Sequence, residues 1–89
     1  MNTEEAVEKL NSVGLIAKKM NSSDNIFGGT STRQNGDMLI YEGCFMIDFH
    51  DEKFHTIRLV GGQNAENLPF DSMELAVNYI IEKVLPSSK

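Results

Sequence analysis

Residues 43–62, GCFMIDFHDEKFHTIRLVGG, contain two stretches of alternating apolar residues on either side of a polar turn. Alternation with a period of two is typical of a β-strand that buries one face. The two stretches therefore predict an antiparallel hairpin, with one strand ending at His50 and the next beginning at Phe54. His55 lies on the far side of the same turn. The register of this hairpin decides which residues face the core, and it therefore decides the arrangement of the sheet.

The parity of the apolar residues predicts that register. In the first strand, predicted over residues 37–50, large apolar side chains occupy odd positions: Leu39, Tyr41, Phe45, Ile47 and Phe49. In the second strand, over residues 54–60, the apolar set with Ile57 and Leu59 is also odd-numbered. Opposed residues of an antiparallel pair point to the same side of the sheet. A three-residue loop over residues 51–53 places the odd-numbered apolar residues of both strands on one face, and we therefore predict that loop. A two-residue turn would set Phe45 opposite Arg58 instead.

The segment before this hairpin predicts a second one. The pair Asn35-Gly36 tolerates the positive φ angles of a tight turn. The strand that precedes it, within residues 26–33, contains adjacent glycines and is predicted at the edge of the sheet. Gly43 interrupts the following strand without changing its parity, so we expect a bend there.

Residues 3–13 are predicted to form the first helix, capped by Asn2 or Thr3. Its buried face carries apolar residues at helical spacing: Ala6, Val7, Leu10 and Val13. Two continuations are open. Gly14 ends the helix in a left-handed conformation and residues 15–19 form a short strand, or the apolar stripe continues and one helix runs to about residue 20.

The last helix is predicted over residues 72–85, after a polar connection over residues 61–68. Asp71 and Glu74 have the spacing of a capping box, and Phe70 and Leu75 that of a hydrophobic staple. The buried face carries Met73, Ala76, Val77, Ile80 and Val84.

These elements predict a single α+β domain over residues 1–89. An antiparallel meander of three strands, or four if residues 15–19 form a strand, is flanked by an N-terminal and a C-terminal helix, both packed on one sheet face. A chain of 89 residues buries only about 60% of its unfolded surface. That leaves little volume for a deep substrate pocket and disfavours an enzyme.

Composition narrows the functional classes further. The net charge of −5 repels phosphate backbones and disfavours direct binding of nucleic acid. The single cysteine cannot form an internal disulfide, which fits a reducing compartment. No run approaches the roughly 20 apolar residues of a membrane span, and the acidic start of the chain is unlike a signal peptide. We therefore expect a cytoplasmic protein that contacts no membrane.

Three groups of residues are candidates for chemical sites. The two histidines, with Asp48, Asp51 and Glu52, have the ligand types of a metal site, but the predicted register points His50 and His55 to opposite faces. Cys44 has no second cysteine or basic neighbour to activate it. The glycine-rich residues 28–32 lack the spacing of a phosphate-binding loop. We therefore predict no catalytic residue, metal or cofactor.

The sheet face away from the helices carries the strongest functional signal. In the predicted register it holds the even-numbered residues, which are more apolar than a solvated sheet face requires. The residues predicted to bind a partner there are Met38, Ile40, Met46, Phe54, Arg58 and Val60. The competing interpretation places one helix on each face, so that these residues are core.

The sequence therefore predicts a small non-enzymatic protein-binding or regulatory module. It would act through the apolar sheet face or through an open edge strand, on a protein partner or by forming a homodimer. One alternative is an acidic inhibitor that mimics nucleic acid, with carboxylates at Asp37, Glu42, Asp48, Asp51 and Glu52. A second alternative is a small ligand-binding domain, which requires a pocket with converging polar groups.

Overall fold

The computed structural model describes residues 1–20, 23–59 and 65–85, which form two helices and seven strands. The helices are α1 (Thr3–Ser12) and α2 (Met73–Val84). The strands are β1 (Ile16–Lys19), β2 (Ile26–Gly29), β3 (Ser31–Asn35), β4 (Met38–Glu42), β5 (Phe45–His50), β6 (Lys53–Leu59) and β7 (Ala65–Phe70). The predicted α+β class with an antiparallel sheet is confirmed. The predicted number of strands is wrong.

The main sheet has five antiparallel strands in the order β1-β2-β5-β6-β7. Each strand pairs with its neighbour along the chain, except that a separate two-stranded sheet, β3–β4, is inserted between β2 and β5. We call this insertion the arm. The sheet is therefore a meander, as predicted; the optional strand at residues 15–19 is present as β1, and the unpredicted strand β7 forms the other edge. β2 lies between β1 and β5, so the prediction of an edge strand there is wrong.

The glycines of β2 mark a close approach rather than an edge. A Cβ atom on Gly28 would lie 2.2 Å from the Ile16 carbonyl oxygen and 2.8 Å from the Phe45 ring. The missing side chain therefore lets β1 and a core aromatic ring pack against the β2 backbone. The chain also bends where the arm ends and β5 begins, and Gly43 in this bend has a φ of +62°. The predicted bend near Gly43 is present, but the single strand predicted over residues 37–50 is wrong, because the bend divides it into β4 and β5, which belong to different sheets.

The hairpin formed by β5 and β6 has a two-residue turn. Asp51 and Glu52 have φ angles of 53° and 62°, and Phe45 opposes Arg58. The predicted three-residue loop is therefore wrong, and the parity of β6 is the reverse of the expected one. Positive φ angles at both turn positions match the twist of the flanking strands, and this match outweighs the poor suitability of Asp-Glu for them.

The register divides the sheet into two faces. Both helices pack on the face that we call the covered face, and their buried residues join those of the sheet in one core. The core contains Ala6, Leu10, Leu15, Ala17, Ile26, Phe45, Ile47, Met73, Ala76, Val77 and Ile80. Phe54, Thr56 and Arg58 of β6 share this face, because they oppose Phe49, Ile47 and Phe45. The other face, which carries Met46 and Ile57, is the outer face.

The ends of α1 follow the local signals of the sequence. Asn2 is the N-cap, and it exchanges hydrogen bonds of 2.8 and 3.0 Å with Glu5 in a capping box. Gly14 has a φ of +101°, and the Leu15 amide donates to the Leu10 carbonyl oxygen at 3.1 Å. This is a Schellman motif, so the shorter helix followed by a strand is correct.

The start of α2 differs from the prediction. Ser72, not Asp71, is the N-cap, and its hydroxyl accepts a 3.1 Å hydrogen bond from the Leu75 amide. The Asp71 carboxylate pairs with Lys53 instead. With the cap at Ser72, Leu75 falls on the exposed side, so the predicted capping box and staple are both wrong. The predicted connection contains β7 over residues 65–68, and its remaining residues 61–64 lie outside the described part of the chain.

Candidate functional site

The six residues predicted to bind a partner do not share one surface. Met46 lies on the outer face, whereas Phe54 and Arg58 lie on the covered face, where Phe54 packs against the core. Met38 and Ile40 belong to the arm, and Met38 is 64% exposed. Val60 lies outside the described residues. The grouping failed for two reasons: the two-residue turn reversed the parity of β6, and the residues of β4 belong to the separate sheet of the arm. The proposed role of these residues in binding remains a prediction.

An apolar surface does lie on the outer face, with different members. We call it the outer strip, and it consists of Phe27, Tyr41, Met46, Ile57 and Leu59. Phe27 opposes Met46, and Met46 opposes Ile57, so three neighbouring strands contribute one continuous row. The Phe27 and Tyr41 rings meet edge to face at 4.9 Å, which joins the arm to this row. Leu59 is 63% exposed at its end.

A groove of about 130 Å³ crosses the outer strip. It is lined by residues of β2, β5 and β6 together with the bend before β5: Phe27, Cys44, Phe45, Met46, Ile57, Arg58 and Leu59. The Cys44 thiol donates to the Tyr41 carbonyl oxygen at 3.1 Å, so it is engaged within the fold. A groove of this size and lining suits one apolar side chain. The groove could have been predicted from the sequence with a two-residue turn in the β5–β6 hairpin, because that register places Leu59 on the outer face.

The two histidines lie together on the outer face, beside the outer strip. The His50 and His55 rings stack in parallel with centroids 3.8 Å apart, and the prediction that they face opposite sides is wrong. Asp48 opposes His55 across the hairpin, and His55 Nδ1 lies 3.1 Å from Asn67 Oδ1. These side chains form a polar cluster beside the outer strip.

The stacked rings are poorly arranged to bind one metal ion. An imidazole nitrogen binds zinc in the plane of its ring at about 2.0–2.1 Å, and an ion cannot lie in the planes of two parallel stacked rings at once. Asn67 engages one nitrogen of His55, and the other, Nε2, is buried. Within residues 1–20, 23–59 and 65–85, no group of three or more His, Cys, Asp or Glu side chains has the geometry of a metal site.

Arg58, Glu66 and Tyr79 form a polar network on the covered face, between β6, β7 and α2. Glu66 Oε1 accepts hydrogen bonds from Arg58 Nε at 2.9 Å and from the Tyr79 hydroxyl at 2.7 Å. The neighbouring Tyr79 side chain, more than the charge of Glu66, raises the pKa of Arg58. Desolvation, followed by the bond to Glu66, raises the pKa of Tyr79. The network joins helix to sheet, and sequence reasoning missed it because Arg58 was assigned to the other face.

Both edges of the main sheet are interrupted as sites for pairing with a further strand. Asn11 of α1 forms two hydrogen bonds with the Ala17 backbone, accepting from its amide at 2.9 Å and donating to its carbonyl oxygen at 3.1 Å. Its side-chain amide thus takes the place that a further strand would occupy beside β1. The other edge strand, β7, contains Pro69, which has no amide hydrogen to donate.

The five carboxylates considered for a nucleic-acid mimic occupy several regions. Asp37 lies in the turn of the arm, and Glu42, at the base of the arm, pairs with Arg33 at 2.6 Å. Asp51 and Glu52 lie in the β5–β6 turn, at the opposite end of β5 from the arm. This placement does not form a single row, and the mimic remains a prediction without added support.

No protein family, curated protein or solved structure compared with the chain matches it significantly. Neither α1 nor α2 has the length and apolar character needed to cross a membrane, and the described residues contain no other helix. The functional argument therefore rests on the geometry of the two sheet faces.

Proposed function

We propose that this chain is a small protein-binding module that holds a partner protein on its outer strip. The observation that carries the proposal is the continuous apolar row from Phe27 through Met46 to Ile57, which ends at the largely exposed Leu59. Both helices are used to cover the opposite face. An exposed apolar surface with a polar border is typical of an interaction site.

The surroundings of the outer strip fit the anatomy of a protein interface. Such interfaces have an apolar centre and a polar rim that stays in contact with water. Here the groove forms the centre, and the cluster of Asp48, His50 and His55 lies along one side. The arm, through Tyr41, borders the other side. The partner that fits this surface presents an apolar side chain to the groove.

The sheet face is favoured over the sheet edges as the binding surface. Addition of a partner strand needs unpaired amides and carbonyl groups along an edge. At β1 the Ala17 groups are already bonded to Asn11, and Lys18 and Lys19 are of the residue type that discourages edge pairing. At β7, Pro69 interrupts the row of donors. We therefore place partner binding on the face.

A capture experiment with two leucine variants tests the proposal. Leu59→Lys places a charge on the outer strip, and Leu75→Lys places the same charge on the exposed side of α2, where the leucine is 51% exposed. Immobilised wild type and both variants are incubated with extract of the native host, and bound proteins are quantified by mass spectrometry. We expect the amount of one captured protein to fall about tenfold with Leu59→Lys and to stay at the wild-type level with Leu75→Lys.

The partner is then purified, and its direct binding to all three proteins is measured by calorimetry. If the two variants capture the same proteins in the same amounts as wild type, the outer strip is not the binding surface. Sedimentation velocity of the wild type shows whether the partner is a second copy of the chain. In that case Leu59→Lys, but not Leu75→Lys, shifts the equilibrium to monomer.

A further inference from the structure

A crevice of about 330 Å³ lies away from the outer strip, at the end of the molecule where both helices begin. The first residues of the chain, the loop before β2, the β5–β6 hairpin and the start of α2 border it: Met1, Asn2, Thr3, Glu4, Asp24, Phe49, Phe54 and Met73. We call it the hairpin-end crevice. Its volume falls at the lower end of the range for small-molecule binding sites.

The floor of the hairpin-end crevice is aromatic and partly open. Phe49 is 50% exposed although it lies on the covered face, and its ring lies 4.7 Å from that of Phe54. Met73 is buried beside them. The Phe49 amide donates to Asn25 Oδ1 at 3.0 Å, which fixes the loop against β5. The fold therefore holds an aromatic surface in place without covering it.

The lining carries two carboxylates and the α-amino group of Met1, so two negative charges and one positive charge leave it a net charge of −1. Glu4 and Asp24 border the crevice, and neither forms an ion pair within the described ranges of the chain. The Thr3 hydroxyl donates to the Asp24 backbone oxygen at 3.2 Å, which joins the loop to α1 and leaves the Asp24 carboxylate free of that contact. The positive end of the α1 dipole is offset by Glu4 and by the Glu5 capping box.

We propose that the hairpin-end crevice binds a lysine or arginine side chain from a basic protein segment. Its aliphatic stem would lie on Phe49, and its charge would be stabilised by Glu4, Asp24 and the aromatic faces. The crevice differs from the outer strip in chemistry, since the outer strip consists of five apolar side chains, whereas the crevice combines an aromatic ring with two carboxylates. The site is independent of the proposed function and adds a second surface with a different chemical preference.

A peptide titration tests the assignment. The isotope-labelled chain is titrated with the acetylated and amidated peptide Gly-Ser-Lys-Leu-Lys-Ser-Gly, and amide shifts are followed by NMR. The control peptide carries glutamine at both lysine positions. We expect the lysine peptide to shift the resonances of residues 2–4, 24, 49 and 54, and the glutamine peptide to bind about tenfold more weakly. Added salt is expected to weaken binding of the lysine peptide.

Variants separate the crevice from a general attraction to the acidic chain. Glu4→Gln with Asp24→Asn is expected to weaken binding about tenfold, and Phe49→Ala to weaken it by a similar factor. Glu8→Gln, on the exposed side of α1, and Leu59→Lys, on the outer strip, should leave it unchanged. The proposal is overturned if the two peptides bind equally, or if Glu8→Gln weakens binding as much as the crevice variants do. It is also overturned if no amide resonance shifts, or if the shifts map to another part of the chain.

Discussion

The Tyr79 hydroxyl joins α2 to the sheet by a single short hydrogen bond to Glu66 Oε1, at 2.7 Å. The same oxygen holds Arg58, whose guanidinium lies 5.8 Å from the centre of the Tyr79 ring. The side chains of Arg58 and Glu66 are only 19% and 25% exposed, so water replaces a lost partner poorly. The network therefore stabilises the docking of α2 on β6 and β7.

Tyr79→Phe removes the hydroxyl and keeps the ring. We expect a loss of about 1.5 kcal/mol in the free energy of unfolding, the magnitude of a hydrogen bond to a charged group. Because the folded state raises the pKa of Tyr79, its contribution is complete below the unfolded pKa of about 10 and is lost as the pH rises through the folded pKa. The deficit of Tyr79→Phe should therefore narrow above pH of about 10. Urea denaturation at a series of pH values measures it.

Asn78→Ala is the matched control, since Asn78 is exposed and precedes Tyr79 in the same helix. It should change the unfolding free energy by less than about 0.5 kcal/mol. If Tyr79→Phe behaves like this control, the hydroxyl bond contributes nothing to the docking of α2. If the difference in unfolding free energy between wild type and Tyr79→Phe does not change with pH, folding does not raise the pKa of Tyr79.

Among the elements, the β5–β6 turn has the largest consequence for the fold. Asp51 and Glu52 both adopt left-handed backbone angles, a conformation that costs a residue with a side chain about 1–2 kcal/mol. Sequence reasoning rejected this turn because the apolar residues of both strands share odd parity. The folded chain nevertheless has this turn, and the resulting register places Ile57 and Leu59 on the outer face. That choice creates the outer strip, so the strained turn and the apolar surface have one origin.

Glu52→Gly should stabilise the protein. Glycine adopts the left-handed angles freely, but it also loses more backbone freedom on folding, so the expected net gain is about 0.5–1 kcal/mol. Glu52→Ala is the control, because alanine keeps the steric cost and removes the same charge. The midpoints of urea denaturation compare the two variants. If Glu52→Gly is no more stable than Glu52→Ala, the turn is not strained.

The helices were more predictable than the strands, for a local reason. The end of α1 was open between two readings, and the positive φ at Gly14 decides it in favour of the shorter helix. The buried face of α2 follows its spacing, with Met73, Ala76, Val77 and Ile80 all buried. Its cap was misplaced by one residue because Asp71 and Ser72 are both good caps and only the pairing of Asp71 with Lys53 distinguishes them.

At the scale of the molecule, the fold class was predictable and the extent of the sheet was not. β7 contains Glu66, Asn67 and Pro69, which are poor strand formers, and its place is set by pairing with β6. The hairpin-end crevice could not be predicted either, because its walls are distant in sequence and meet only when both helices begin at the same end of the sheet. Pairing and packing over long distances leave no local pattern in the chain.

The outer edge of β1, where Asn11 is bonded to the backbone, allows a test of how the molecule avoids strand pairing with a second copy. Asn11→Ala removes both hydrogen bonds to the Ala17 backbone, and we expect a loss of about 1–3 kcal/mol in the free energy of unfolding. It also leaves an amide and a carbonyl group unpaired on a sheet edge, which is a template for another chain. Sedimentation velocity over a concentration series should therefore show association of Asn11→Ala beyond that of the wild type. Asn78→Ala, which leaves β1 untouched, should sediment as the wild type does. If Asn11→Ala is as stable as that control and sediments with it, Lys18 and Lys19 protect the edge without the help of Asn11.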